Sequence, residues 1–226
     1  MIAQNLNIIE EKISETCLKT GRKRHEIKLI VVSKTQSIEV LKTAIELGIR
    51  DFGENKAQEL KEKAEKISEK INWHFIGHLQ TNKVKYIINF TEYIHSIDSI
   101  KIADEVNKRA ESIKKVQKIL LEVNTSGENT KFGLTNELEL LKTAEYCAKK
   151  KNLSLVGLMT MAPFTREEKL IRKSFIRLRE LKEFLNSSGL ELTELSMGMS
   201  NDYQIAIEEG ATMLRIGTAL FGQRNN

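Results

Sequence analysis

The chain has 226 residues, with 36 Lys and Arg against 31 Asp and Glu, a formal net charge of +5. Hydrophobic residues make up 40%, which excludes a disordered chain, and 12 Gly and one Pro exclude a collagen-like one. No Pro- or Gly-rich linker divides the sequence, so we expect a single domain spanning residues 1–226. Two cysteines are too few for a disulfide scaffold and fit a reducing compartment.

The N-terminal segment and the distribution of charge exclude further classes of protein. Residues 1–12 carry no basic stretch before Glu10 and Glu11, so we expect no signal peptide. No apolar run approaches the ~18 residues of a membrane-spanning helix, which predicts a cytoplasmic protein with no membrane partner. Lys and Arg alternate with Glu along helical faces rather than forming a basic stripe, so no nucleic-acid partner is expected either.

Strand-like and helix-like segments alternate along the whole chain. The first half is predicted to contain a helix at 2–19, a strand at 27–34, a helix carrying Ile38, Leu41 and Ile45, a strand at 51–55, a helix reaching about Lys70, a strand at 72–78, a helix at 82–89 and a strand at 93–98. The second half adds a helix from Ile100 to Ala110, a strand at 118–125, a helix from Leu138 to Ala148, a strand at 153–161, a helix at 166–187, a strand at 194–199, a helix at 201–209 and a strand at 212–222.

This alternation predicts an α/β fold, and eight strands favour a single closed (β/α)₈ TIM barrel over an open doubly wound sheet. No Gly-x-Gly-x-x-Gly follows the first strand, which weakens a dinucleotide-binding alternative. The chain begins with an extra helix and is predicted to end on the eighth strand without an eighth helix. We therefore expect the N-terminal helix to cover the part of the barrel left bare.

Lys34 is the first candidate site residue, because active sites of such barrels lie at the carboxyl ends of the strands. It follows the buried run Ile30-Val31-Val32. Low-dielectric walls lower the pKa of a lysine and make it a nucleophile toward aldehydes. A lysine that merely extends out of the strand end is the simpler interpretation for any one lysine. Asn55 and His78 end the next two predicted strands, and His78 is placed to touch a ligand.

Two segments near the end of the chain predict a phosphate site. Ser200 is placed as the N-cap of the helix at 201–209, while Gly217 lets backbone amides approach an anion and Thr218 adds a hydroxyl group. Phosphate groups in these barrels often bind after strands seven and eight, where both segments fall. By strand alternation Arg215 points the same way as Gly217, and it either reaches a ligand ring or serves as a structural cation.

The remaining histidines and the cysteines predict no metal site and no thiol nucleophile. His74 and His78 lie four residues apart, which is ~13 Å along a strand, so one ion cannot bridge them. We interpret His74 as structural, and His95 has no partner visible in the sequence. Cys17 and Cys147 fall on helix faces, where a thiol acts as a small buried hydrophobic group.

A lysine opposite a phosphate cradle, with Arg215 between them, fits a phosphorylated aldehyde bound as a Schiff base on Lys34. Pyridoxal 5′-phosphate (PLP) is the commonest cofactor of this kind. A sugar-phosphate aldolase is the competing prediction, although its lysine would be expected on a central strand rather than on the first.

Six segments resemble the pyridoxal phosphate homeostasis protein family, in order along the chain. They are VSKT (32–35), FGEN (52–55), WHFIGHLQTNK (73–83), GLMTM (157–161), LSMGMS (195–200) and RIGTALFG (215–222). One departure is that Gln36 and Ser37 replace the more usual basic residue and proline after the lysine. They stand in a loop just beyond the site and cast little doubt on Lys34.

The resemblance implies a single barrel of the type found in the N-terminal domain of alanine racemase, with PLP as cofactor. The cofactor-binding positions it implies are Lys34 (the Schiff-base lysine), Asn55, Met197 within residues 197–199, Ser200, Gly217 and Thr218 (the phosphate), and Arg215 (near the pyridine nitrogen). Together with His78 they form the predicted site, and Lys131 is a candidate for a secondary PLP contact in the loop after strand five.

The resemblance also implies a protein without established catalytic activity, which maintains vitamin B6 balance and delivers PLP to apo-enzymes. An arginine beside the ring nitrogen weakens the ring as an electron sink. Racemases take a catalytic tyrosine from a second domain, for which 226 residues leave no room. We therefore expect a monomeric PLP-binding protein rather than an enzyme, with a weak PLP-dependent amino-acid racemase as the alternative.

Overall fold

The computed structural model describes residues 1–128 and 131–222, in which eight parallel strands form one closed barrel. The strands are β1 (Lys28–Val32), β2 (Asp51–Glu54), β3 (Asn72–Phe75), β4 (Thr91–Ile97), β5 (Gln117–Glu122), β6 (Leu153–Met159), β7 (Glu194–Ser196) and β8 (Met213–Ile216). Their order around the barrel is their order in the chain, and β8 pairs with β1. The predicted (β/α)₈ barrel is confirmed.

Helices cover the outside of this barrel. They are α1 (Ile2–Lys19), α2 (Ile38–Glu46), α3 (Ala57–Lys66), α4 (Val84–Ile87), α5 (Ile100–Ser112), α6 (Glu137–Ala148), α7 (Glu168–Ser187), α8 (Tyr203–Glu208) and α9 (Thr218–Phe221). Within residues 1–128 and 131–222, no helix is long and apolar enough to cross a membrane.

Two apolar layers hold the barrel together. The larger one lies between the strands and the helices and includes the fully buried Phe52 and Phe175. A small cluster of Ile30, Leu120, Met159 and Met213 fills part of the barrel interior. Polar side chains also point into the barrel. Residues paired in register on neighbouring strands point to the same side of the sheet, and Ile30 pairs with Arg215 while Gly53 pairs with His74.

The end of the chain differs from the prediction. Strand β8 stops at Ile216, and residues 218–221 form the one-turn helix α9, so the expectation of a strand at 212–222 with no helix after it is wrong. The strand ends because Gly217 leaves the extended conformation, with φ −122° and ψ −71°, and Leu220 is then buried from a helical turn.

Helix α1 packs over this last part of the barrel, as expected. The side-chain amide of Asn5 donates a 2.8 Å hydrogen bond to the carbonyl oxygen of Leu220 in α9. Just after α1, Arg22 donates a 3.0 Å bond to the carbonyl oxygen of Ile207 in α8. Cys17, also on α1, is buried in the core, and burial raises the pKa of its thiol. The second cysteine, Cys147, is buried likewise, and burial raises its pKa to about 12.

Several strands end earlier than predicted, which leaves longer loops at the carboxyl end of the barrel. Strand β3 ends at Phe75 rather than at residue 78, so Gly77 and His78 belong to the following loop. This loop packs tightly on the one after β2, since a Cβ atom on Gly77 would lie 2.2 Å from the carbonyl oxygen of Asn55. Only glycine permits that approach, which packs the loop carrying His78 against the loop carrying Asn55.

Candidate functional site

A cavity of about 440 Å³ opens at the carboxyl end of the barrel. Its walls come from the loops after β1, β2, β3, β5, β6, β7 and β8 and from the end of β5. Seven of the eight predicted site residues line it: Lys34, Asn55, His78, Ser200, Arg215, Gly217 and Thr218. The cavity size is typical of small-molecule sites, and its position is the one that barrel enzymes use.

The exception among the predicted residues is Met197. Its side chain is fully buried in the apolar core, whereas Met199 lines the cavity. Strand β7 ends at Ser196, so Met197 and Met199 lie beyond it, and the alternation of side-chain direction along a strand does not apply to them.

The backbone on the amino side of Lys34 is held by a buried ion pair. The Lys63 ammonium group donates 2.7 Å bonds to the carbonyl oxygen of Ser33 and to Oε1 of Glu54. The Ser33 hydroxyl donates to the same Glu54 oxygen at 2.6 Å. Glu54 is fully buried, and burial raises the pKa of its carboxyl group above the usual range.

The backbone on the carboxyl side of Lys34 is held by the same lysine through a second carboxylate. Glu59 accepts a 2.7 Å bond from Lys63 and a 2.6 Å bond from the backbone N–H of Thr35. Thr35 has φ +67°, a conformation that few residues other than glycine adopt. The charged cluster thus fixes both neighbours of Lys34 and compensates for the strain at Thr35.

The three residues predicted to bind phosphate, Ser200, Gly217 and Thr218, all line the cavity, but Ser200 is not a helix N-cap. Helix α8 begins at Tyr203, because residues 200–202 form a turn, and Asp202 stands at its N-cap. Ser200 Oγ instead accepts a 3.1 Å bond from the backbone N–H of Ala219 in α9. This bond joins the loops after β7 and β8.

Gly217 brings the loop after β8 close to β1. A Cβ atom at this position would lie 3.2 Å from the Cβ and carbonyl oxygen of Val32. Gly217 has no side chain, so its backbone itself lines the cavity, and this backbone packs close to the strand that leads to Lys34.

Arg215 lies at the floor of the cavity and is 4% exposed. Its Nη1 donates a 2.6 Å bond to Ser196 Oγ, and its Nη2 donates a 2.8 Å bond to the carbonyl oxygen of Thr160. Burial lowers the pKa of Arg215 to about 10, which leaves the guanidinium group charged at neutral pH.

Glu122 is a cavity residue that the sequence-based prediction missed. It ends β5 and is almost completely buried, and burial together with the nearby Asp98 charge raises its pKa to about 7. The strand was predicted to run to residue 125, which placed Asn124 at its mouth instead. A boundary three residues earlier would have identified Glu122.

His78 contributes an aromatic face to the opposite wall. Its ring stacks on Phe132 at a centroid distance of 3.8 Å and an angle of 14°. Its Nδ1 lies 3.4 Å from Oδ2 of Asp98. Phe132 and Phe164 stand at the rim of the cavity, on the loops after β5 and β6.

Lys131 lies beside this rim but outside the cavity lining. Its ammonium group donates a 2.9 Å bond to the carbonyl oxygen of Ala162 and a 3.0 Å bond to Glu128. The neighbouring residues 129 and 130 lie outside the described residues. A secondary PLP contact at Lys131 stays a prediction.

Comparisons with known proteins show which family the chain belongs to. The family model for the N-terminal domain of alanine racemase matches residues 5–225. The pyridoxal phosphate homeostasis protein of Aquifex aeolicus is 43% identical over 223 residues, which cover 98% of this chain and 97% of that protein. The chain belongs to the pyridoxal phosphate homeostasis protein family.

Solved structures of other proteins also resemble the structure of this family member. PipY of Synechococcus elongatus, solved with PLP bound, superimposes with a TM-score of 0.82 at 31% identity, covering 93% of this chain and all of that one. Alanine racemase of Clostridium difficile has a TM-score of 0.81 at 17% identity, covering 100% of this chain but 57% of its own. The second likeness shows a shared barrel fold alone.

Proposed function

We propose that this protein binds PLP in the barrel-mouth cavity, bonded covalently to Lys34, and that it acts in intracellular PLP homeostasis as a monomeric cytoplasmic protein. The observation that carries the proposal is that one cavity collects Lys34, Arg215 and the Ser200–Gly217–Thr218 wall. The relatives' shared name and the PLP in PipY support the same ligand.

The residues present fit the chemistry of that cofactor. Lys34 supplies the amine for the aldehyde carbon, and the hydroxyls of Ser200 and Thr218 with the open backbone at Gly217 suit a phosphate group. Arg215 donates only, so it pairs with an unprotonated ring nitrogen and disfavours its protonation. When bound, PLP supplies a ring that stabilises negative charge on a substrate carbon, and this arginine weakens that capacity.

Absence of catalysis is part of the proposal. Each of the chain's four tyrosines lies among the described residues, and none of them lines the cavity, so no tyrosine of this barrel is placed to act as an acid or base on a bound substrate. Glu122 favours the second candidate, a weak amino-acid racemase, because a cavity carboxyl with a pKa of about 7 can exchange protons at neutral pH.

Borohydride reduction of the purified protein with added PLP tests the binding proposal. We expect a yellow protein in which reduction fixes one PLP to the peptide containing Lys34, as seen by mass spectrometry. Lys34→Ala should abolish this label, whereas Lys131→Ala should retain it. A label of unchanged stoichiometry on Lys34→Ala would overturn the assignment of Lys34.

Two further assays address what the bound cofactor does. Racemase assays across common amino acids should show no turnover above that of free PLP, and robust turnover lost in Glu122→Gln would establish the racemase instead. Transfer of PLP to an apo-enzyme should be faster from the loaded protein than from free PLP at equal concentration. Equal rates would contradict a role in delivery.

A further inference from the structure

A continuous chain of hydrogen bonds runs through the barrel interior from its amino-terminal end to the cavity. Asp51, the first residue of β2, is 3.0 Å from His74 Nε2 on β3. His74 Nδ1 is 2.9 Å from His95 Nε2 on β4. His95 Nδ1 is 2.8 Å from Ser196 Oγ at the end of β7, which accepts the bond from Arg215.

The third of these four hydrogen bonds, between His95 and Ser196, crosses the barrel. Strands β4 and β7 are not neighbours in the sheet, so the bond between His95 and Ser196 spans the interior rather than following a strand pair. Both histidines and Ser196 are fully buried. A buried polar group costs free energy unless it is paired, so His74, His95 and Ser196 depend on one another and on the two end residues for their partners.

The two ends determine the direction of every bond. Arg215 can only donate, so Ser196 Oγ accepts from it and has its own proton left for His95 Nδ1. His95 must then carry its proton on Nε2 and donate to His74 Nδ1. His74 likewise carries its proton on Nε2 and donates to the Asp51 carboxylate, which can only accept.

The charge state of each group agrees with this direction. Burial lowers the pKa of His95 well below its usual value, and burial lowers that of His74 despite the opposing charge of Asp51, so both rings are neutral at neutral pH. Burial acts to raise the pKa of Asp51, but His74 and Lys28 outweigh it and lower that pKa overall. Asp51 therefore remains a carboxylate.

We propose that Asp51, His74, His95 and Ser196 form a one-way hydrogen-bond relay that positions Arg215 for the ring of the bound cofactor. The four are positioning residues, since only Arg215 lines the cavity. The role toward the cofactor rests on the proposed PLP binding, but the direction of the relay is a property of the protein itself.

Nitrogen-15 NMR of the protein without added PLP tests the relay directly. The chain has four histidines, so the double variant His25→Gln/His78→Gln leaves only the signals of His74 and His95. Long-range proton–nitrogen spectra at pH 7.5 should show both rings neutral with the proton on Nε2. A charged ring, or a proton on Nδ1 of either ring, would overturn the proposal.

Coupling along the relay is tested with Asp51→Asn, which weakens the terminal acceptor. The Nε2–H signals of both His74 and His95 should shift, although His95 does not touch residue 51. Asp104→Asn is the matched control, because Asp104 accepts bonds from Tyr146 and Lys150 on the surface. An unchanged His95 signal in Asp51→Asn would show that the groups are not coupled.

The role toward the cofactor has a separate readout. With PLP added, Asp51→Asn and Ser196→Ala should shift the visible absorption maximum and raise the dissociation constant about threefold or more, whereas Asp104→Asn should change neither. Unchanged spectra in both relay variants would refute the positioning role. Failure of the wild-type protein to bind PLP would refute the proposed function instead and leave the NMR result standing.

Discussion

The ammonium nitrogen of Lys63 lies 2.7 Å from the carbonyl oxygen of Ser33, the residue directly before Lys34. Lys63, a charged residue of α3, thus fixes the backbone next to Lys34, the candidate nucleophile. Lys63 is 6% exposed and is also bonded to Glu54 and Glu59, so its removal leaves a buried carboxylate without its cation.

Lys63→Met is therefore expected to lower the free energy of unfolding by about 3 kcal/mol, the usual cost of breaking a buried ion pair. It should also weaken PLP binding, because the backbone around Lys34 loses its anchor. Urea denaturation and PLP titration measure the two effects.

Lys61→Met is the control on the same helix. Lys61 pairs with Glu65 at 3.6 Å on the surface, so its replacement should cost less than about 1 kcal/mol. Equal stabilities of the two variants would mean that the Lys63 cluster does not stabilise the strand end.

Glu122 predicts a specific dependence of stability on pH. Its folded-state pKa of about 7 lies above the unfolded value of about 4.3, so between these pH values the folded chain retains a proton that the unfolded chain has lost. The contribution of Glu122 to the free energy of unfolding is greatest below about pH 4.3 and decreases as the pH rises toward 7. Above pH 7 this contribution no longer changes with pH.

Glu122→Gln removes this contribution. The difference in unfolding free energy between the variant and the wild type should change in favour of the variant by about 1–3 kcal/mol as the pH is raised from 5 to 8. Urea denaturation without PLP measures it. Asp98→Asn should reduce the wild-type slope, because the Asp98 charge is one cause of the raised pKa. Parallel pH profiles for wild type and Glu122→Gln would contradict the assignment.

Gly77→Ala tests the contact between the loops after β2 and β3. The added Cβ would lie 2.2 Å from the carbonyl oxygen of Asn55, so the loops must separate and displace a residue that lines the cavity. We expect PLP binding to weaken about tenfold or more, a cost of about 1.4 kcal/mol in binding.

Gly48→Ala separates this effect from a general loss of stability. Gly48 has φ +92° with no atom near its Cβ position, so the substitution strains the backbone by about 1 kcal/mol without touching the cavity. Its PLP affinity should match that of the wild type. A similar loss of affinity in both variants would refute the loop-contact explanation.

Phe132→Ala tests the aromatic rim. The ring stacks on His78 at 3.8 Å, and such pairs contribute about 0.5–1.5 kcal/mol beyond burial. Its loss should raise the PLP dissociation rate about two- to tenfold, measured by transfer to an apo-enzyme in stopped flow. Phe164→Ala removes an aromatic side chain that is 95% exposed, and it should have the smaller effect. Equal rates in all three proteins would show that the stack does not retain the cofactor.

The local pattern of the sequence was sufficient for the architecture. Eight strand-like runs alternating with amphipathic helices correctly predicted the order of the strands. The carboxyl ends of these runs placed Lys34, Ser200, Gly217 and Thr218 at one end of the barrel. This works because helix and strand periodicity are local properties, and because parallel strands bring their carboxyl ends together.

Strand boundaries were the weak point of that reasoning, and they affected individual residues. Glu122 was missed because β5 ends three residues before the predicted end, and Met197 was expected at the cofactor although only Met199 lines the cavity. Where a strand stops depends on the packing of the loop beyond it, as the contact of Gly77 with Asn55 shows.

Only the tertiary structure decided which polar groups pair inside the barrel. His95 and Ser196 are 101 residues apart and lie on strands that are not neighbours, yet they share a hydrogen bond. Lys63 reaches Ser33 across 30 residues. The periodicity of the sequence does not predict such pairs, because they form only when the barrel closes. Closure excludes water, so each buried donor or acceptor must pair with a group that the fold brings close to it.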